Sequence, residues 1–160
     1  MLKRINPLSC YYALRATKIL EKNMNGNMIN RLEVLVKKAY YVYKRYEIPS
    51  TFALIYHDRP LSVIELSKYV RQSDQFIPLD ENHYFMIFHF TNQANAYKAS
   101  QNIIYRLDKH FNNDEVSFIA LDSFDVNKSP HSVLSRLKQI LAQTRKESYS
   151  RVETEDILER

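Results

Sequence analysis

From residue 51 onward, short apolar runs alternate with longer stretches in which apolar side chains recur every three or four positions. These are the periods of strand and helix. Residues 51–57 form one such run and predict a strand. Ser62 with Glu65 three positions on is a capping box, Leu61 and Leu66 can staple it, and a helix is expected from there to about Arg71. Residues 75–79 and 84–90 read as strands joined by the polar turn Asp80-Glu81-Asn82-His83. Residues 92–111 carry Tyr97, Ile104, Leu107 and Phe111 at helical spacing, and residues 116–121 make a fourth strand. Ser129 as cap, with Pro130 behind it, opens a last helix that turns Val133, Leu137, Ile140 and Leu141 inward.

The resulting order, β-α-β-β-α-β, is the split βαβ or ferredoxin-like arrangement, an α/β fold of the α+β kind whose strands lie in the order 4-1-3-2. Pro78 agrees with it: proline donates no ladder hydrogen bond, and the second strand stands at an edge. On the third strand Tyr84, Met86, Phe88 and Phe90 alternate with Phe85 and Ile87, so both faces of the sheet need cover. A helix before residue 51, or the one after Ser129, is expected over the second face.

Two helices are predicted upstream, over residues 9–22 and 28–46. In the second, Ile29, Leu32, Val36, Ala39, Tyr43 and Tyr46 follow the 3-4 spacing of a coiled-coil seam. The stripe fits either packing on the rest of the chain or a homodimer, and it is the candidate dimer seam. Charge separates this part from the remainder. Residues 1–46 hold ten Lys or Arg against Glu21 and Glu33, whereas residues 47–160 hold 13 against 16 acids. The last fourteen residues carry five acids and two bases, which leaves residues 47–146 neutral. Three parts follow: a basic helical segment over 1–46, a central domain over 47–146, and a polar, flexible tail over 147–160. Arg31, Lys37, Lys38, Lys44 and Arg45 make a basic helix face. Such a face is either solvated or a contact for nucleic acid, an anionic membrane or an acidic partner.

Composition removes several chemistries. The single glycine, Gly26, leaves no phosphate loop, dinucleotide fingerprint or nucleophile elbow. The lone Cys10 and the scattered His57, His83, His89, His110 and His131 offer no metal-ligand spacing, so no metal and no cofactor is expected. His89 is expected to be a packed histidine bonded to backbone, and Asp122 and Asp125 to be solvated turn residues. No apolar run approaches the length of a membrane span and residues 1–9 lack a signal-peptide core, so the cytoplasm is the expected location.

The hairpin carries a resemblance. The run from Val70 through Arg71-Gln72-Ser73-Asp74, on to Asp80-Glu81-Asn82-His83-Tyr84 and into Phe85-Met86-Ile87, resembles the GGDEF domains of bacterial diguanylate cyclases. In that family an Arg-x-x-Asp motif precedes a Gly-Gly-Asp-Glu-Phe turn on a βαββαβ core, and the likeness covers roughly residues 32–142. Asp80-Glu81-Asn82-His83-Tyr84 stands at the signature turn, and only the final aromatic is kept. The family's glycines let backbone approach a guanine nucleotide and its acids hold metal. Asp80 and Glu81 would instead meet a triphosphate with negative charge, while Asn82 and His83 are poor ligands for a hard cation. After the first strand only His57-Asp58 stands where the family has its Asp-x-Asp run. The resemblance therefore implies a degenerate domain without cyclase activity, acting in bacterial signalling as a regulatory or protein-interaction module. It also implies cyclic di-GMP as a ligand of Arg71 and Asp74; the residues alone favour a local structural role, Arg71 capping the helix end and Asp74 starting the strand, paired with each other.

A different class shares the βαββαβ order. RNA-recognition motifs stack bases on third-strand aromatics, and Tyr84, Phe85 and Phe88 would take that part. The missing Lys/Arg-Gly-aromatic start, the acids before the strand and the neutral centre argue against nucleic acid. The expected partners are thus a protein, or a second copy of the chain, and cyclic di-GMP.

Overall fold

Helix α1 (Gly26–Tyr46) forms because its apolar positions make a stripe of helical period, and it buries Leu32, Val36 and Ala39. The computed structural model describes residues 26–160 except Phe124 and Val126. The helix expected over 9–22 lies outside the described residues. α1 stops where Glu47 turns left-handed, at φ 55°, and its N–H returns to the Tyr43 carbonyl at 2.7 Å. Lys44 and Arg45 complement the dipole in the last turn.

Strand β1 (Thr51–His57) follows, then a short helix α2 (Val63–Ser67) whose N-cap Ser62 Oγ accepts the Glu65 N–H at 3.1 Å. The staple residues Leu61 and Leu66 are both buried. α2 ends earlier than its pattern predicts, because the N–H groups of Lys68 and Tyr69 reach back only three residues. Strands β2 (Gln75–Pro78) and β3 (His83–Phe88) form the hairpin, helix α3 (Gln93–His110) is capped by Asn92, and β4 (Ser117–Asp122) returns. Helix α4 (Pro130–Thr144) begins at its Ser129 cap, where Oγ accepts the Ser132 N–H at 3.2 Å.

Five strands lie in the order β2-β3-β1-β4-β5, the expected 4-1-3-2 arrangement plus one. β1 runs antiparallel to both neighbours, pairing Leu54 with Phe85 on one side and with Ala120 on the other. Pro78 stands on the edge strand as its chemistry requires. The addition is β5 (Arg151–Thr154), parallel to β4 and reached through α4 as a crossover, followed by a 3-10 helix (Glu155–Glu159). The tail expected to be flexible is thus part of the sheet. Its only apolar strand residue, Val152, pairs with Ile119 and is buried, too weak a signal to see in sequence.

Two cores result, one on each face. α1 and α4 cover the face of Phe52, Leu54, Phe85, Ile87 and Ala120. α2 and α3 cover the face of Ile55, Tyr84, Met86, Phe88 and Ile119. Tyr84, Phe85 and Phe88 are therefore buried beneath helices and no base can stack on them, so the RNA-binding alternative loses the surface it rested on. The seam is likewise spent on the chain's own sheet. Leu32, Val36 and Ala39 are 2%, 0% and 1% exposed, and a second copy cannot pack on them without unpacking the domain. Ile29 and Tyr43 are half-buried and Tyr46 is exposed.

Strand β3 ends at Phe88, two residues sooner than expected, because β1 begins at Thr51 and offers no partner beyond it. Phe90 then takes φ 56° and leaves the sheet with its ring 60% exposed. Among the described residues no left-handed position is a glycine: Glu47, Phe90, Asn112 and Asn113 hold all four.

Candidate functional site

Arg71 sits in the turn between α2 and β2, where Asp74 holds it from several sides. The guanidinium forks onto the carboxylate, Nε to Oδ2 at 3.2 Å and Nη2 to Oδ1 at 3.1 Å. Oδ2 also accepts the Arg71 backbone N–H at 3.0 Å, and the Asp74 N–H returns to the Arg71 carbonyl at 3.0 Å. A further bond runs from Nη2 to Thr91 Oγ1 at 3.1 Å, and the guanidinium lies 5.7 Å from the Phe88 ring centroid. The Asp74 side chain is 1% exposed and that of Arg71 is 48% exposed. Asp74 is thereby a positioning residue, with both oxygens engaged. Arg71 is pre-oriented, its fork fixed and its outer side open.

That outer side faces a cleft of about 730 Å³ bounded by Arg71, Phe90, Thr91, Asn95, Lys98, Asn102 and Tyr105. Two aromatic rings, Phe90 and Tyr105, stand exposed on it, 60% and 65%. Side-chain amides and the Lys98 ammonium supply the remaining polarity. Neither Phe90 nor Tyr105 carries a sequence signal for a site: Phe90 continues the apolar run of the third strand, and Tyr105 is one residue within a long helix.

At the other end of the β2-β3 hairpin, the turn closes on itself. Asp80 Oδ1 accepts the N–H of Asn82 at 2.8 Å and of His83 at 2.7 Å, an Asx turn. The His83 ring brings Nδ1 to 2.9 Å from Oδ1 and 3.0 Å from Oδ2, so Nδ1 carries the proton. The two side chains are 9% and 3% exposed. Burial pushes the Asp80 carboxyl up, but the His83 hydrogen bond and charge, with the two turn N–H groups, bring it below its ordinary value. Asn82 Nδ2 donates to the carbonyls of His57 and Asp58, both at 2.9 Å, which staples the turn to the end of β1. Glu81 is exposed, and the Tyr84 hydroxyl is anchored to Leu61, accepting its N–H at 2.8 Å and donating to its carbonyl at 2.7 Å.

Beneath the turn lies a cluster of rings and a guanidinium. The His83 ring is 5.1 Å from that of Tyr56, which also meets the Phe118 ring at 6.2 Å and the Arg145 guanidinium at 3.7 Å. Burial, only partly offset by Arg145, raises the Tyr56 hydroxyl to about 12. Asp58 is engaged too, accepting from the Tyr56 hydroxyl at 2.9 Å and from the Val116 N–H at 3.3 Å. The one inward carboxylate of the turn, that of Asp80, is occupied by the turn's own donors. Among the described residues no three His, Cys, Asp or Glu side chains gather as a metal set.

Two expectations for single residues are corrected. His89 bonds the Gln75 side chain, Nε2 to Oε1 at 2.7 Å, and not backbone. Asp122 is the last residue of β4 and fully buried, because β5 and α4 extend the covered region past the strand's end. Its carboxylate meets Lys128 Nζ at 3.4 Å and Arg136 Nε at 3.3 Å. No described helix is long and apolar enough to cross a membrane.

Comparison with known proteins places the fold. No family model and no curated protein matches the chain. Solved structures do. The GGDEF domain of TpbB (YfiN) from Pseudomonas aeruginosa superposes with a TM-score of 0.64 at 12% identity, over 85% of this chain and 94% of that one. The diguanylate cyclase SiaD from Pseudomonas aeruginosa, solved with its activator SiaC, gives 0.65 at 7% identity, over 90% of this chain and 67% of that one. The GGDEF domain of DgcB from Caulobacter crescentus, solved with c-di-GMP, gives 0.58 at 11% identity, over 84% and 96%. The chain has the fold of a GGDEF domain.

Proposed function

We propose that this chain is a GGDEF-like regulatory module without cyclase activity that binds cyclic di-GMP in the cleft beside Arg71 and acts through protein contacts. One observation carries the first half. At the position of the signature turn, the Asp80 carboxylate is buried against His83 and two backbone N–H groups. A metal-bound triphosphate would need that space and that charge; here a side chain fills the one and an internal histidine takes the other.

The second half rests on what surrounds Arg71. Cyclic di-GMP presents two guanine faces and two phosphates, and the cleft answers with exposed aromatic faces on Phe90 and Tyr105 and cations on Arg71 and Lys98. Phe90 is held left-handed, a conformation that costs a bulky residue about 1–3 kcal/mol, and this places its ring on the cleft. The DgcB domain of similar fold was solved with c-di-GMP.

Isothermal titration of the full chain with cyclic di-GMP tests the reading, beside incubation with GTP and magnesium or manganese. The expected outcome is saturable heat with the parent, none with Arg71→Ala, and no cyclic dinucleotide formed from GTP. Product above a blank would refute the absence of cyclase activity, and a flat titration at high ligand would refute the nucleotide site.

A further inference from the structure

While one face of α1 is buried in the core, the opposite face carries a second repeat. Arg31, Val34, Lys38, Tyr41 and Arg45 are spaced 3, 4, 3, 4, and all five are exposed, Val34 by 52% and Tyr41 by 60%. They run along about 21 Å of helix at 1.5 Å per residue. In heptad terms the apolar Val34 and Tyr41 take one core position and the three cations take the other, with Lys37 and Lys44 flanking. Glu33 pairs with Lys37 at 2.9 Å, the one salt bridge on α1 among the described residues. The Arg45 guanidinium leans on the Tyr41 hydroxyl at 3.1 Å and on the Tyr46 ring.

We infer that this face docks an acidic amphipathic helix of a partner protein. The inference uses a different surface from the nucleotide reading: the cleft beside Arg71 has no residue of α1 in its wall, while Arg31 and Val34 line a separate groove that runs along β2 past Asp74. Charge selects the occupant. Two copies joined through this face would set five cations against five, in either orientation, with no acid inside the seam. Residues 1–25 hold five bases and one acid and offer no counter-charge. In the C-terminal region Glu153 is engaged by Arg151 and Arg160 and Glu155 by Gln93 and Ser123, and the 3-10 helix that carries Asp156 and Glu159 is docked on the chain's own core through Ile157 and Leu158. A bilayer needs a broad apolar face, and that face of α1 is turned inward on Leu32, Val36 and Ala39. Nucleic acid would take the cations but not the apolar line between them, and residues 47–160 carry an excess of acid that would repel it. A narrow apolar line bordered by cations matches a helix with leucine in its seam and glutamate on both flanks.

The test titrates the full chain into a labelled three-heptad peptide with Leu at the seam positions and Glu at the flanking ones, read by fluorescence anisotropy. Saturable binding is expected, absent for a peptide with Lys replacing Glu and weaker by about tenfold or more for one of equal composition and scrambled heptad order. Lys38→Glu with Arg45→Glu should exchange the preference, binding the Lys peptide and releasing the Glu peptide, with an unchanged melting curve showing the variant is folded. Equal binding of the scrambled peptide would reduce the face to plain charge and overturn the inference. It would also be overturned by self-association in light scattering that Val34→Asp abolishes, or by co-sedimentation with phosphatidylserine vesicles in the absence of peptide binding.

Discussion

Replacing Asp80 by Ala removes the acceptor on which the hairpin turn is built. Three donors lose their partner: the N–H groups of Asn82 and His83 and the Nδ1–H of His83. A buried donor left unsatisfied costs about 1–3 kcal/mol. Water can reach Asn82, which is half-buried, whereas His83 is 3% exposed, so the expected loss is about 2–5 kcal/mol. Asp80→Asn keeps one oxygen for the two backbone donors and lets His83 change tautomer, so it should cost about 1 kcal/mol. pH adds a second axis. The folded-state carboxyl lies below its ordinary value of 3.8, so its contribution is complete above that value and is lost as pH falls through the lower one. The difference between parent and Asp80→Asn should therefore shrink as the pH falls below that ordinary value. Urea denaturation across pH, with the slope checked for constancy, measures each number. If Asp80→Ala and Asp80→Asn lose the same amount, or if Asp80→Ala loses under about 1 kcal/mol, the turn is not held as described.

Leu32→Ala should destabilise the chain by about 2–5 kcal/mol because its side chain lies in the core, whereas Tyr46→Ala should change stability by under about 0.5 kcal/mol. Urea midpoints at two protein concentrations separate this from a dimer seam, for which the Leu32→Ala effect would depend on concentration. Burial raises the Asp122 carboxyl above its ordinary 3.8 in spite of Lys128 and Arg136, so it binds its proton more tightly folded than unfolded and stability falls as pH rises through that interval. Asp122→Asn should remove this slope and leave the protein at pH 7 as stable or up to about 1 kcal/mol more so, since both cations reach solvent; a clear loss at pH 7 in thermal melts would contradict it.

The sequence carried the sheet order because each strand announces itself: continuous apolar runs in β1 and β3, and a proline that only an edge tolerates in β2. Ser62, Asn92 and Ser129 cap the helices as their chemistry dictates. α1 was harder, because two of its faces carry 3-4 spacing, and only the sheet beneath decides that Leu32, Val36 and Ala39 go inward. β5 was hidden for a different reason: an edge strand reading Arg-Val-Glu-Thr has one inward apolar side chain, and its ordering comes from pairing with β4. The Arg71–Asp74 pair was visible as a spacing, but the cleft it faces is made by Phe90 and Tyr105, which meet it only through the tertiary fold. Asp80 and His83 three residues apart were readable as a turn, yet their burial depends on Tyr56 and Arg145 from other elements.

The position of β5 bears on how the chain stays apart from its own copies. All six residues of β4 are buried, and among the described residues its outer edge is covered by residues 151–154. A chain in which that short strand detaches presents an apolar strand with an open edge. Such an edge is a template for pairing with other chains. β5 is thus a latch over β4, and Val152→Asp, which puts a charge at its buried position, is expected to turn the folded chain into a self-associating one in light scattering.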